Sequence, residues 1–363
     1  MTEIGIPKSE LDTPSLWVDL DILEQNITTL SNHFKQAGVA WRPHTKGIKV
    51  PAIAHKVMAA GGLGMTCAKL GEAEVMVRAG IQDILIANQI VGATKINRLA
   101  AIQHHADVKV AVDDETNVAQ LGQIASQKGV EIGVVVDVNT GMNRTGVAPG
   151  EEAVKLSQLV HQTAGLRYRG LMAWEGHAAS MQDFEAKEVE IKKAVGLLAD
   201  TVKQCRAVDL PVEIVSGGGS GTYTVTAHLD EITEVQAGGA MLGDMSYVSW
   251  GAETKPSIFV RSMVVSTPSP KRVIFDAGFK ALPVWNNRMV KPIGVSDFKS
   301  YGTSAEHGTM VLEEPNTTLK VGDAVDFIVG YTDMTVFLYD VMYGVRDGVV
   351  ETMWPIEGRG KVR

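Results

Sequence analysis

Short apolar runs alternate with longer amphipathic stretches between residues 39 and 240. Eight of the runs are rich in Val, Ile or Leu and have the length of strands. They cover residues 39–44, 63–67, 83–87, 108–112, 133–138, 168–173, 212–215 and 234–237. The stretches between them predict helices over residues 51–60, 71–80, 93–103, 115–128, 149–162 and 183–205. Repeated strand–helix units predict a parallel sheet, and eight of them predict a closed (β/α)₈ barrel.

The pattern changes after residue 250, where apolar and polar residues alternate between Gly, Pro and Asn turns. Strand-like segments cover residues 257–264, 271–276, 324–328 and 336–338. They predict a mainly antiparallel β-domain, and the strand-like residues 15–19 are expected to pair with it. The sequence therefore predicts a barrel over residues 20–250 and a β-domain made of residues 1–19 plus 251–363.

Composition and charge exclude several classes of protein. Of 363 residues, 45% are hydrophobic and 21% are charged, and no apolar stretch is long enough to predict a membrane span. The net charge of -8 argues against a nucleic acid partner, because no basic patch would neutralise phosphates. The N-terminus lacks the features of a secretory signal, which predicts a cytoplasmic location. The two distant cysteines, Cys67 and Cys205, form neither a metal pattern nor a disulfide framework.

Lys46 follows the first predicted strand, at the end of the barrel where reactive groups lie. A lysine in this place can act as a nucleophile and form a Schiff base, which neighbouring positive charge favours. Arg42, His44 and Lys49 are the residues expected to supply that charge. Taken alone, a lysine at the end of a strand is more often an exposed surface residue without a catalytic role.

Glycine-rich loops follow the seventh and eighth predicted strands. Barrels frequently bind phosphate with these two loops, because glycine lets backbone N–H groups approach an anion closely. A single such loop is as readily explained as a tight turn, but two adjacent ones indicate phosphate. The candidate residues are Ser216, Gly218, Gly219, Ser220, Gly221, Thr222, Gln236, Gly238 and Gly239.

Three further polar or aromatic side chains follow the fifth and sixth strands. Arg144 offers a planar fork of donors to a phenolate or carboxylate. Trp174 offers an aromatic face to the same end of the barrel, and His177 is a candidate acid–base group. A loop histidine is more often structural and a tryptophan more often core, so each signal is weak alone.

Taken together, these motifs resemble the family of D-threonine aldolases and D-serine dehydratases, which have an alanine-racemase-type barrel. The resemblance rests on residues 42–46, 64–74, 79–85, 141–146, 216–222, 236–238, 276–280, 306–308 and 354–360. It implies pyridoxal phosphate (PLP) as cofactor, Lys46 as its Schiff-base partner and Arg144 as a contact of its phenolic oxygen. It places the cofactor phosphate in the two glycine loops, with His44 and Trp174 nearby. It also implies a homodimer whose active site lies between one barrel and the partner's β-domain.

Two positions depart from the family pattern. The family usually places a His, one intervening residue and a Cys or Asp to bind a divalent metal, and here Tyr331 replaces the His. Asp333 remains, and it could hold Mg²⁺ or Mn²⁺ weakly, whereas Zn²⁺ would miss its nitrogen ligand. Family aldolases also often carry a His six positions after Trp174, where this chain has Ser180. His177 is the nearest substitute.

The resemblance implies a lyase that cleaves a D-β-hydroxy-α-amino acid by a retro-aldol reaction, giving glycine and an aldehyde. The candidate bases for the β-hydroxyl proton are His177, Tyr331 and a water on a cation at Asp333. Dehydration to a keto acid and ammonia is the first alternative, with Lys46 removing the α-proton. Racemisation, with Lys46 and Tyr331 on opposite faces of the substrate, is the second.

Overall fold

Two β-sheets organise the chain, which is described by a computed structural model over residues 3–286 and 288–363. Strand β1 (Ser15–Asp19) belongs to the second sheet and precedes the barrel. The first sheet contains eight parallel strands: β2 (Ala40–Trp41), β3 (Met65–Cys67), β4 (Asp83–Gln89), β5 (Asp107–Val112), β6 (Ile132–Val138), β7 (Leu166–Ala173), β8 (Ile214–Gly217) and β9 (Glu234–Val235). Each predicted barrel strand is confirmed, with ends shifted by a few residues.

Helices connect these strands and cover the barrel. They are α1 (Leu20–Ala37), α2 (Pro51–Ala59), α3 (Leu70–Arg78), α4 (Ala93–Ile102), α5 (Glu115–Lys128), α6 (Glu151–Gln162), α7 (Phe184–Ala207), α8 (Tyr223–Thr226) and α9 (Met245–Ser249). Local sequence sets their ends: α5 begins where the Asp114 carboxylate accepts from the backbone N–H of Thr116 and Asn117, and ends at Gly129 in the left-handed conformation. All six predicted helices are confirmed. Helix α1 was not predicted.

The barrel closes between its first two strands. Each strand from β3 to β8 pairs with the next along the chain, and β9 pairs with β2. The remaining gap is bridged by a parallel pair between His44 and Thr66 and by a hydrogen bond from Leu63 N to Trp41 O of 2.8 Å. Every residue of β6 is buried, as expected for a parallel strand covered on both faces. The predicted (β/α)₈ barrel is thereby confirmed.

The second sheet is mainly antiparallel. Its other strands are β10 (Ile258–Ser269), β11 (Arg272–Phe275), β12 (Lys291–Pro292), β13 (Phe298–Thr303), β14 (Gly308–Leu312), β15 (Ala324–Ile328), β16 (Val341–Arg346) and β17 (Val349–Pro355). Strand β1 pairs antiparallel with β10 and parallel with β16, which confirms the expected pairing of residues 15–19. The predicted strand at residues 336–338 is wrong: this segment is a 3₁₀ turn that continues the short helix α10 (Thr332–Thr335). The domain limits of 20–250 and 1–19 plus 251–363 stay a prediction.

Charged residues occupy the amino-terminal end of the barrel, opposite its mouth. The guanidinium of Arg42 donates to Glu234 at 3.0 Å and to Asp83 at 2.5 Å. Lys109 contacts Asp83 and lies 2.7 Å from Asp107. Because each of these charges is partnered, the network closes one end of the barrel without leaving a buried charge unpaired. The active site is therefore expected at the opposite end, where the strands have their carboxyl ends.

Among the described residues, none of the helices combines the length and apolar character that crossing a bilayer requires.

Candidate active site

A cavity of about 300 Å³ opens at the carboxyl ends of the barrel strands. Most residues singled out from the sequence line it. These are His44, Lys46, Arg144, Trp174, Gly218, Gly219, Ser220, Gly221, Gln236, Gly238, Gly239 and Tyr331. Residues separated by up to 287 positions along the chain thus meet at one site, because parallel strands bring their carboxyl ends together.

Lys46 lies in the 3₁₀ turn Thr45–Gly47 that follows the first barrel strand. The His44 ring accepts from the backbone N–H of Lys46 at 3.3 Å, which orients the turn. The Lys46 ammonium reaches into the cavity, and its Nζ lies 3.0 Å from Oδ2 of Asp333. The side chain remains 42% exposed, so its amine is accessible to a ligand.

Of the three residues expected to place positive charge near Lys46, His44 is neutral, and Arg42 and Lys49 are paired with carboxylates. Burial, reinforced by Lys46, Lys49 and Arg144, lowers the pKa of His44 well below its usual value, so this imidazole is neutral. Arg42 is committed to Glu234 at the opposite end of the barrel, and Lys49 pairs with Glu72. The close ionic partner of Lys46 is instead the Asp333 carboxylate.

The glycine loops are shaped by close contacts that leave no room for a side chain. A Cβ on Gly238 would lie 2.1 Å from the His44 carbonyl oxygen, and one on Gly219 would lie 2.4 Å from the Trp174 ring. The buried Glu175 carboxylate accepts from the hydroxyls of Thr222 at 2.7 Å and Thr226 at 2.6 Å. Glu175 therefore holds the first loop from beneath.

Two residues predicted to bind the cofactor support this loop and do not line the cavity. The Ser216 hydroxyl is fully buried and accepts from the Gln236 side chain at 2.9 Å. The Thr222 hydroxyl donates to Glu175 and accepts from the Gly219 backbone N–H at 3.0 Å. Both side chains are therefore engaged within the protein.

Arg144 is carried by a loop that is organised by side chains. The Asn139 amide oxygen accepts from the backbone N–H of Gly141 at 3.1 Å and of Asn143 at 3.0 Å. The Thr145 hydroxyl donates to the buried Asp137 carboxylate at 2.8 Å. These bonds fix the backbone on both sides of Arg144, so its guanidinium is presented to the cavity from a defined position.

An aromatic wall of the cavity lies beside the Lys46–Asp333 pair. Its rings are Tyr247, Trp250 and Tyr331, with centroids 5.4 to 5.8 Å apart. The Tyr331 hydroxyl donates to Asp333 Oδ2 at 3.0 Å, and the Tyr247 hydroxyl donates to Asp333 Oδ1 at 3.3 Å. Burial, followed by the nearby Asp333 charge, raises the pKa of both tyrosines, so both stay protonated. Tyr247 and Trp250 were not predicted, although they follow Gly239 of the second glycine loop by only eight and eleven residues.

His177 does not line this cavity, so the geometry gives no support to the predicted acid–base role. Its Nε2 lies 3.2 Å from Glu190 on helix α7, and its ring packs beside Gly141. Its Nδ1 is buried and has no hydrogen-bond partner among the described residues. His177 thus links two loops at the edge of the barrel.

Comparisons with known proteins agree with this geometry. The model of the alanine racemase N-terminal domain matches residues 18–246, and the putative serine dehydratase domain matches residues 257–345. A 3-hydroxy-D-aspartate aldolase from Paracoccus denitrificans (strain Pd 1222) is 33% identical over 369 residues, or 98% of this chain and 94% of that protein. The chain belongs to the same family as this aldolase.

Two further related proteins show which reactions occur in this family. The crystal structure of the D-threonine aldolase from Filomicrobium marinum is 35% identical, has a TM-score of 0.97, and covers 100% of this chain and 99% of its own. The D-threo-3-hydroxyaspartate dehydratase from Delftia sp. (strain HT23) is 28% identical over 276 residues, or 75% of this chain and 73% of that protein. The family therefore contains both aldolases and a dehydratase.

Enzymes of the aldolase family carry pyridoxal phosphate, and the cavity fits that group. The backbone N–H groups of Ser220, Gly221 and Gly239 have no acceptor in the part of the chain that the structure describes, and all three residues line the cavity. Such N–H groups bind a phosphate well. Lys46 places an amine in the cavity and Arg144 places guanidinium donors there, so the lining residues are compatible with this cofactor.

A divalent metal, in contrast, does not fit the residues present. Within residues 3–286 and 288–363, no group of three His, Cys, Asp or Glu side chains is placed to hold an ion. Asp333 is the carboxylate nearest Lys46, and both of its oxygens already accept hydrogen bonds from tyrosine hydroxyls. The predicted Mg²⁺ or Mn²⁺ site at Asp333 therefore finds no support in the donor set.

The buried Asp244 carboxylate supports the aromatic wall formed by Tyr247, Trp250 and Tyr331. It is fully buried, and its Oδ2 accepts from the backbone N–H and the hydroxyl of Thr332, each at 2.6 Å. Its Oδ1 accepts from the backbone N–H of Tyr247 at 2.8 Å. One carboxylate thus holds both segments that carry the tyrosines around Asp333. Burial raises the pKa of Asp244 to about 7.

This raised pKa predicts a pH-dependent stability. The folded protein retains the Asp244 proton at pH values where the unfolded chain, with an ordinary pKa of about 3.9, has lost it. The contribution to the free energy of unfolding is therefore present at low pH and lost as pH rises to about 7. We expect wild type to lose more stability than Asp244→Asn in urea unfolding between about pH 4 and about pH 8. Equal losses in the two proteins would contradict this.

Proposed function

We propose that this chain is a pyridoxal-phosphate-dependent lyase that cleaves a D-β-hydroxy-α-amino acid into glycine and an aldehyde. The supporting observation is one cavity that is lined by Lys46 and by both glycine loops, with the Asp333 carboxylate 3.0 Å from Lys46 Nζ. Full-length similarity to aldolases favours this reaction over others of the family. The D configuration comes from the same relatives.

The cofactor would be held by residues that already line the cavity. We assign Lys46 to its covalent link, Arg144 to its phenolic oxygen, and the backbone of residues 218–221 and 238–239 to its phosphate. The Trp174 ring and the neutral His44 would flank it. When bound, pyridoxal phosphate supplies an electron sink for the pair left on the α-carbon when a bond to that carbon breaks.

The chain's own residues then decide which bond breaks. A retro-aldol reaction needs a group that takes the proton from the substrate β-hydroxyl. Tyr331 lines the cavity and donates to Asp333 at 3.0 Å, so this pair is the candidate for that group. The aromatic rings of Tyr247 and Trp250 line the same cavity beside Tyr331.

We also propose that the enzyme is a homodimer in which the partner's β-domain completes the site. Exposed apolar residues of the β-domain support this, among them Trp285, Met289 and Phe337, which are 58%, 38% and 43% exposed. The cytoplasmic location expected from the sequence stays a prediction.

A product assay separates the proposed reaction from its alternatives. The holoenzyme is incubated with D-threonine, 3-hydroxy-D-aspartate and D-serine, and with the L form of each. We expect glycine and an aldehyde in equal amounts from a D substrate. A keto acid with ammonia would identify a dehydratase, and loss of optical purity without new products would identify a racemase. Either outcome, or cleavage of the L forms alone, would contradict the proposal.

A further inference from the structure

The segment around Tyr331 departs from its family at the position that matters for metal chemistry. Where the family usually has a His two residues before its acidic or thiol ligand, this chain has a phenol. Neutral phenols are poor metal ligands, and soft or borderline cations prefer imidazole or thiolate. The change therefore removes the nitrogen donor that would hold a transition metal beside Asp333.

The oxygen donors left at this place are too few for a hard cation. Mg²⁺ and Ca²⁺ take six or more oxygen ligands, usually with two or more carboxylates or with substrate phosphate. Here one carboxylate is available, and the Lys46 ammonium lies 3.0 Å from it. The Asp244 carboxylate is fully buried behind the wall, where Thr332 and Tyr247 use both of its oxygens. A cation at this place would therefore be repelled by the Lys46 ammonium. Its one carboxylate ligand would be Asp333, whose oxygens already accept hydrogen bonds from Tyr247 and Tyr331.

The arrangement of Asp333 is instead that of a positioned proton acceptor. The hydroxyls of Tyr331 and Tyr247 hold its two oxygens from one side. Its back packs against Gly47, where an added Cβ would lie 2.3 Å from Oδ1. The carboxyl group is thus fixed in orientation and is 15% exposed. It is not itself among the residues that line the cavity, and it meets the cavity through Lys46 and Tyr331, which do line it.

We propose that this lyase works without a divalent cation, and that the Asp333 carboxylate itself takes the β-hydroxyl proton of the substrate. The inference rests on the proposed function. It replaces the metal-bound group of the family by a carboxylate held between two phenols, and it makes Asp333 a catalytic residue and Tyr331 its positioning residue.

The groups at this site account for the proton and for both electron pairs that move in the cleavage step. The hydroxyl proton moves to Asp333, and the pair from the O–H bond becomes the second bond of the aldehyde carbonyl as the Cα–Cβ bond breaks. The pair from the Cα–Cβ bond stays on the α-carbon, which must then gain one proton to become glycine. Because Lys46 Nζ lies 3.0 Å from Asp333 Oδ2, the same proton can return to the α-carbon through Lys46.

Metal removal tests the proposal directly. Holoenzyme is treated with EDTA, exchanged into metal-free buffer and assayed for aldehyde, while Mn²⁺ binding is followed separately by electron paramagnetic resonance. We expect no saturable Mn²⁺ binding and a rate within a factor of about two of the untreated enzyme. Saturable binding of one Mn²⁺ per chain, with activity lost on chelation and restored by metal, would overturn the inference.

Two substitutions at one position give a matched comparison. Tyr331→His supplies the missing imidazole and is expected to bind Mn²⁺, whereas Tyr331→Phe keeps the ring and is expected to bind none. Asp333→Asn should lower kcat about a hundredfold or more with little change in KM, in the presence or absence of Mn²⁺. An Asp333→Asn enzyme with unchanged kcat would also refute the proposal. Mn²⁺ binding is read without any substrate, so a wild type that forms no aldehyde would count against the proposed function alone.

Discussion

Replacing Lys46 with Ala is expected to lower kcat/KM for aldehyde formation by about three orders of magnitude or more. The amine of Lys46 is the group assigned both to the covalent link with the cofactor and to proton transfer at the α-carbon. No other lysine lines the cavity in the described part of the chain, so none can replace it. Steady-state rates with a D-β-hydroxy amino acid measure the loss, and the visible absorbance of the purified protein reports whether the covalent link forms.

The matched control for this experiment is Lys46→Arg. Arginine keeps a cation beside Asp333, where Lys46 now lies at 3.0 Å, but its guanidinium does not form the covalent link. We therefore expect Lys46→Arg to be as inactive as Lys46→Ala, although it preserves the ion pair. If Lys46→Arg retained most of the activity, the role of Lys46 would be electrostatic and the assignment would be wrong.

The second large effect is expected at Gly238. A Cβ at this position would lie 2.1 Å from the carbonyl oxygen of His44 and 2.7 Å from its backbone nitrogen. Both are backbone atoms, so they cannot move aside without shifting the turn that carries Lys46. We expect Gly238→Ala to weaken pyridoxal phosphate binding at least about a hundredfold, as judged by cofactor titration followed by absorbance.

Gly196→Ala is the matched control, because it introduces the same methyl group into the middle of helix α7. Nothing lies within 4 Å of a Cβ built on Gly196. Since alanine favours a helix over glycine by about 1 kcal/mol, this variant should be as stable as wild type or slightly more stable, with normal cofactor affinity. Equal cofactor affinity in Gly238→Ala and Gly196→Ala would show that the second loop does not shape the cofactor site.

The barrel and the place of its active site could be predicted from the sequence for a physical reason. Buried parallel strands must be apolar along their length, so the eight runs stand out, as β6 illustrates with all positions buried. The residue after each strand then lies at the same end of the barrel. Lys46, Arg144 and the glycine loops were found in this way, without knowledge of their contacts.

The second sheet was harder to predict, because its strands are short and half exposed. Strand β13 buries one residue of six fully, so its sequence shows little apolar pattern. A signal for the hairpin of β16 and β17 was present, however. Asp347 and Gly348 between them both have positive φ, at 50° and 76°, and Asp-Gly between alternating residues is a strong hairpin signal. The three apolar residues at 336–338 were too few to separate a strand from a turn.

The supporting groups of the site could not be predicted, since they depend on tertiary packing. Glu175 stands in the sequence between Trp174 and Gly176, and nothing there indicates that it lies beneath a loop more than forty residues away. Asp244 is similarly tied to Thr332, which lies 88 residues later in the chain. His177 was the more obvious candidate in the sequence, yet it faces Glu190 at the barrel edge.

The central claim is that Lys46 carries the cofactor in the cavity at the barrel mouth. The most direct test is to reduce the holoenzyme with borohydride, digest it and locate the pyridoxyl group by mass spectrometry of the peptides. We expect one modified residue, Lys46. Modification of another lysine, such as the neighbouring Lys49, or recovery of unmodified Lys46 from protein with a full complement of cofactor, would contradict the assignment.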